Sequence, residues 1–427
     1  MSTLAKRVAA DSILAGPTLA ESPLAESPLA ESPLAKPTPA KPTLAERTRR
    51  VAQIAALHAD AVDREGRFPA EAVAALRAER LLGIQIPEAF GGEGADIGGI
   101  AEICFGLGQA CAAAGMVFAM HQIKVASLVT HGGESAWHRM LMQQVAERQL
   151  LVASATTEGG IGGDLRNSLC AVEAEGDTFA FRKDATVISY GSHADVILAT
   201  GRRHPDAASS DQVLVALMAD QISLERTSRW DTLGMRGTCS DGFLLAARDV
   251  PIAQILPKPF AEIAAQSMLA SSHLLWSSVW FGIASHAVDR ARTFVQGEAR
   301  RRPGTVPPGA LRLAEATSAL QTMKGTIQGG LRHYADAQGA PEVLGSIGFA
   351  VMLNNVKVTA STMAVAIVQL ALGIVGIAGY KNGTPFSLGR ALRDVLSAPL
   401  MISNDRILSN TANLLLVQKG SGQFLSA

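Results

Sequence analysis

Cysteine is scarce in this chain, and neither sign of charge is in excess. The four cysteines, Cys104, Cys111, Cys170 and Cys239, are widely spaced and form no CxxC pair. That argues against a structural zinc site, any other metal centre and a disulfide framework, and fits a reducing, cytoplasmic setting. Free thiols of this kind pack as small hydrophobes. Lys plus Arg and Asp plus Glu each total 38, so no global field draws the chain to nucleic acid or to an anionic membrane. Although 48% of the residues are hydrophobic, no uninterrupted apolar run reaches the roughly 18 residues that span a bilayer. The apolar excess reads as helix core.

What is present divides the 427 residues into four stretches. Within the first, 1–43, a five-residue unit repeats as TLAES PLAES PLAES PLAKP with proline at nearly every period. Such a tract blocks continuous helix and buries too little surface to offset chain entropy, so a disordered tail is expected. Residues 44–149 carry apolar positions at helical spacing, for example Val51, Ile54, Ala55 and Val62, and predict a helical domain. Phe68-Pro69 opens a helix there, and a glycine-rich loop follows at 87–94,. Between 150 and 258 come short β-rich runs at 178–181, 196–199, 213–217 and 242–245, separated by Gly, Asp and Ser. These predict an antiparallel β domain. Long helical patterns return over 259–427, broken at 301–309 and 379–385,. The fold class expected is α+β, mostly α.

Short motifs in each third, in this order, resemble the acyl-CoA dehydrogenase family across residues 50–415. In the first third they are Phe68-Pro69, Leu81-Leu82-Gly83-Ile84 and Pro87-Glu88-Ala89-Phe90-Gly91-Gly92. In the middle, Thr156-Thr157-Glu158-Gly159-Gly160-Ile161-Gly162-Gly163-Asp164 resembles the family's Thr-Glu-Pro-Gly-Ala-Gly-Ser-Asp, with glycine at 159 and 163 where proline and serine are usual. Val187-Ile188-Ser189-Tyr190-Gly191 resembles Trp-Ile-Thr-Asn-Gly; Val187 lacks the ring that usually covers the flavin, and Ser189 keeps the hydroxyl near flavin N5. In the last third, Arg300 falls in the register of an arginine that reaches the FAD diphosphate of a neighbouring subunit, and Gln369 and Gly376 in a stretch that contacts its adenosine end.

The resemblance implies an N-terminal helical domain, a central antiparallel β domain and a C-terminal four-helix bundle. It implies FAD as cofactor, held by Thr156, Thr157, Val187, Ser189, Arg300, Gln369, Gly376, Asn404 and Arg406, and a homodimer or homotetramer that shares the cofactor across an interface. The implied activity is Cα–Cβ oxidation of an acyl thioester carried by CoA or an acyl carrier protein, with an electron acceptor protein or O2 receiving the electrons.

One position departs from that pattern. The family's Arg-Asp pair, here Arg393-Asp394, is followed by a Tyr-Glu-Gly-Thr turn whose glutamate takes the substrate α-proton; in this chain its place falls at Ile402, between Met401 and Ser403. A second location for the glutamate in the family falls at Ser272, beside His273. Neither holds a carboxylate, so the base is absent or non-standard. His273 is one candidate, with an imidazole able to titrate near neutrality. The alternative is a flavin-dependent monooxygenase on the same fold, using O2, with His121 on an early helix and Ser189 at the flavin. A flavin-binding homologue without catalysis is the third reading.

Overall fold

The computed structural model describes residues 42–161 and 164–418. Most of the proline-repeat segment at 1–43, and Gly163, lie outside the described residues. Helix α1 (Leu44–Glu65) starts on a reciprocal cap: Thr43 Oγ1 accepts from the Glu46 amide at 3.3 Å, and a Glu46 carboxylate oxygen accepts from the Thr43 amide at 2.8 Å,. It stops at Gly66, whose φ of 60° suits glycine,. Its buried face, Val51, Ala55, Ala59 and Val62, repeats every three to four residues,. Helices α2 (Ala70–Ala78), α3 (Ile97–Ala110), α4 (Ala112–His131) and α5 (Ala136–Arg148) complete this helical part.

Among the described residues, seven strands follow in two sheets. Strands β1 (Val152–Ala155), β4 (Val196–Arg202) and β5 (Gln212–Met218) form one in the order β1-β4-β5. Strands β2 (Val172–Glu175), β3 (Thr178–Ile188), β6 (Ile222–Ser228) and β7 (Asp241–Pro251) form the other in the order β2-β3-β7-β6. The pairings are antiparallel, as the turn-rich sequence predicts, except that β1 runs parallel to β4. That exception needs long-range pairing across the intervening β2–β3 hairpin, which no local turn signal encodes.

The chain then returns to helix through α6 (Phe260–Ile263) and a π turn at 264–268 into the 33-residue α7 (Leu269–Arg301). Helices α8 (Ala310–Asp336), α9 (Pro341–Leu344), α10 (Ile347–Val375), α11 (Ile377–Tyr380), α12 (Gly389–Val395) and α13 (Asn404–Leu415) follow. α10 packs along α7 and α8, and α13 packs on α10. α3 crosses α7 at backbone distance: a Cβ on Gly108 would sit 2.4 Å from Val279 O, and one on Gly282 would sit 2.4 Å from Phe105 O. Only glycine permits that approach.

α4 and α10 are both long and apolar enough to cross a membrane, and 89% of the apolar window of α4 and 44% of that of α10 is buried within the protein. Each carries a single charged side chain, Lys124 and Lys357. Both lysines are buried.

Candidate functional site

Two of the sequence motifs meet where β1 and β3 end. Thr157 Oγ1 donates to Val187 O at 2.9 Å and accepts from the Val187 amide at 3.3 Å. Thr157 therefore lies beside Val187, two residues before Ser189. The next residue, Glu158, is spent on the fold. Its carboxylate accepts from Ser168 Oγ at 2.8 Å, the Leu169 amide at 3.1 Å, the Cys170 amide at 2.6 Å and Lys183 Nζ at 3.1 Å. Lys183 also donates to Thr200 O at 2.9 Å, and the two side chains are 4% and 0% exposed. Burial works to raise the Glu158 carboxyl, but Lys183 and the hydrogen bonds prevail and hold it below its usual range,.

Ser189 stands at one end of a hydroxyl chain. Its Oγ is 2.8 Å from Ser240 Oγ, which is 2.9 Å from Thr238 Oγ1, which donates to Met235 O at 2.9 Å. Each hydroxyl has one proton. Because Thr238 gives its own to Met235, Ser240 donates to Thr238 and Ser189 donates to Ser240, a direction assigned from the network. Ser189 thus keeps acceptor lone pairs for a neighbour that carries an N–H.

The far end of this hydroxyl chain, at Met235, is tied to the C-terminal helices. Arg393 pairs with Asp63 of α1, and buried Asp394 accepts from the Met235 amide at 2.7 Å, which ties α12 to the loop before Thr238. Burial raises the Asp394 carboxyl to about 6 despite that amide. Beyond this pair the chain turns into α13 through Ile402, a half-buried side chain packed on the core. Ile402 has φ of 54°, a left-handed conformation that a β-branched residue rarely adopts,. The turn is held by Lys357 from α10. Its Nζ donates to Ile402 O at 2.6 Å, Asn404 Oδ1 at 2.7 Å and Ala398 O at 3.1 Å, and lies 5.6 Å from the Trp280 ring centre. All of these partners are neutral, and burial lowers the Lys357 ammonium to about 8. The position expected from the resemblance to carry the glutamate thus holds an isoleucine whose carbonyl accepts from a cation.

His273 of α7 is buried beside this group, and its Nδ1 has no hydrogen-bond partner. Burial first, then the Lys357 charge, lowers its pKa to about 4, so the ring is neutral at pH 7. Ser272, at the second base location, donates to Met268 O at 2.6 Å.

Other predicted residues do not gather here. His121 is fully buried and uses both nitrogens as a brace: Nε2 is 2.8 Å from Leu82 O, and Nδ1 accepts from the Val152 amide at 2.9 Å. This corrects the expectation of a reactive histidine, because neither nitrogen is free to exchange a proton with a ligand. Burial lowers its pKa to about 4. Asn404 is committed to Lys357, Ser361 and Thr362. Arg300, Gln369, Gly376 and Arg406 are exposed at helix ends or on α13. A cleft of about 710 Å³ lies between residues 65–70 and the 226–241 region, but it is lined by none of the predicted site residues. Three of its arginines, Arg67, Arg226 and Arg236, are paired with Glu71, Asp241 and Asp231.

Sequence reasoning missed Lys357, which holds the turn at Ile402. The signal was present, since a lone lysine within a long apolar helix must either snorkel to water or find acceptors inside.

Helical segments flanking, among the described residues, a seven-stranded β region form an acyl-CoA dehydrogenase-type fold. Residues 38–149 match the family model described as acyl-CoA dehydrogenase, N-terminal domain. Over those residues the chain is similar to the N-terminal domain of the acyl-CoA dehydrogenase family. It is 27% identical over 204 residues to the probable acyl-CoA dehydrogenase YngJ of Bacillus subtilis, covering 47% of this chain and 53% of that protein. It is 25% identical over 354 residues to the amino sugar nitrososynthase DnmZ of Streptomyces peucetius, covering 79% of this chain and 84% of that one. The FMN-bound structure of TdsC from Paenibacillus sp. A11-2, a dibenzothiophene monooxygenase, shares the fold with a TM-score of 0.76 at 18% identity, over 90% of this chain and all of that one.

Proposed function

We propose that this protein is a flavin-dependent oxidoreductase of the oxygenase type, using O2 rather than removing an α-proton with a carboxylate. The observation that carries this reading is Ile402. The position of the family's base is apolar, packed on the core and fixed by Lys357, and the second location is a serine bonded to its own helix. A flavin held here supplies electron transfer and O2 activation. Thr156, Thr157, Val187 and Ser189 are the residues that fit its ring side, with the lone pairs of Ser189 available to an N–H donor at the ring. The names of DnmZ and TdsC support oxygen chemistry on this framework.

A second reading, FAD-dependent oxidation of an acyl thioester on CoA or an acyl carrier protein, is favoured by one observation: the buried Nδ1 of His273 is an unpartnered, neutral acceptor beside the vacant base position,. A homodimer or homotetramer belongs to both readings. Its support is the exposed apolar surface of the C-terminal part, including Ile377, Tyr380, Leu400, Leu408 and Leu415,.

One experiment separates the readings. The flavin-loaded protein is mixed anaerobically with a panel of acyl-CoA thioesters, and separately supplied with reduced flavin and O2. Oxygen consumption without anaerobic bleaching supports the oxygenase. Bleaching by a thioester in the absence of O2 refutes it in favour of the dehydrogenase.

A further inference from the structure

At the π turn, α7 meets α4 in a buried cluster that has more hydrogen-bond donors than acceptors. Lys124, in the middle of α4, is 4% exposed, and the hydrogen bond found for its Nζ among the described residues is to Met268 Sδ at 3.1 Å. A thioether is a weak acceptor for an ammonium with three N–H donors. Among the described residues no carboxylate pairs with this ammonium, and desolvation by burial lowers Lys124 to about 7. Nearby, His131 Nε2 is 3.2 Å from Ser267 Oγ, which donates to Ile263 O at 2.9 Å.

Ser271 adds a second unsatisfied donor. Ser272, Ser277 and Ser278 each donate to the carbonyl four residues earlier, at 2.6, 2.5 and 2.9 Å. Ser271 does not, and its buried Oγ has no partner. It sits one turn beyond Met268, at the spacing that places two side chains on one side of a helix. Buried donors without acceptors are costly and rare, and π turns recur at functional sites.

We propose that Lys124 and Ser271 form a binding subsite for a carboxylate group carried by the substrate, next to Ser272 on α7. This rests on the reading above that Ser272 and His273 of α7 border the reaction site. The deficit is of acceptors, and a carboxylate supplies two oxygens that accept from both Lys124 and Ser271 while neutralising the ammonium. A phosphate dianion would need a second cation, and the cluster offers only a neutral imidazole, lowered by burial, at His131. Met268, unbranched and adaptable, fills the acceptor's place in the free protein and can yield it.

The test uses the purified full chain with hexanoate and its neutral isostere hexanamide, titrated by calorimetry. Hexanoate is expected to bind about tenfold or more tighter, as a charge-assisted pair implies. Lys124→Met, which keeps the stem and removes the ammonium, should abolish the preference and raise the melting temperature, showing that the variant folds. Ser271→Ala should weaken hexanoate severalfold and leave hexanamide unchanged. Equal binding of the two probes, binding of neither, or a preference that survives in Lys124→Met overturns the proposal. Flavin loading is read separately from visible absorbance, so a protein that takes up flavin but ignores the carboxylate defeats this inference alone.

Discussion

Replacing Lys357 with methionine tests whether one buried cation shapes the turn at the vacant base position. The substitution keeps the aliphatic stem but removes three hydrogen bonds, of 2.6, 2.7 and 3.1 Å. Asn404 Oδ1 retains Ser361 as a donor at 3.2 Å, so two carbonyls, Ile402 O and Ala398 O, lose the bond that Lys357 gave them. An orphaned buried acceptor costs about 1–3 kcal/mol, giving about 2–6 kcal/mol gross. Two effects offset part of this: the ammonium no longer has to be buried, and Ile402 can relax from its left-handed conformation, which is worth about 1 kcal/mol. The expected net loss is about 2–4 kcal/mol, read as a lower urea midpoint with unchanged slope. Flavin affinity should fall with it, because α12, tied through Asp394 to the loop before Thr238, leads into this turn. Lys357→Arg should not rescue, since the planar fork cannot reproduce three convergent bonds from one nitrogen. A loss below about 0.5 kcal/mol, the level of an ordinary surface substitution, would refute the reasoning.

Three other predictions follow from the same geometry. His121→Ala removes two buried hydrogen bonds and leaves a cavity, so it should destabilise the fold by about 2–4 kcal/mol while turnover per folded, flavin-loaded molecule stays near that of the parent; a thousandfold loss of turnover with intact stability would restore His121 as a reacting group. Glu158→Gln and Lys183→Met should each cost about 3–5 kcal/mol by leaving a buried partner uncompensated, and the double variant should cost less than the sum, measured by denaturant unfolding. For Lys124, the folded pKa of about 7 lies below the unfolded 10.5, so between those values the unfolded chain binds the extra proton and stability rises with pH. Lys124→Met should lose that contribution, and its stability advantage over the parent should shrink from pH 7 towards pH 10.

The resemblance was legible because its motifs are local. Phe68-Pro69, the Thr156-Thr157-Glu158 segment and Arg393-Asp394 are short runs whose turn and cap chemistry is written in consecutive residues, and helices and strands announced themselves by period. The role of Asp394 was less legible, because its partner is the amide of Met235, 159 residues away. His121 misled for the same reason. A histidine on an apolar helix looks alike whether its nitrogens face a ligand or, as here, Leu82 and Val152.

Sequence alone determined that the chain runs helices, strands, helices, and that neither family position for the glutamate holds a carboxylate, since both follow from residue identity and spacing. Tertiary structure alone decided what stands behind Ile402, and which lone lysine found acceptors. Lys357 reaches three oxygens contributed by residues 41 to 47 positions away, whereas Lys124 meets a thioether. The cost of burying a charge depends on those distant partners, and no local pattern encodes them.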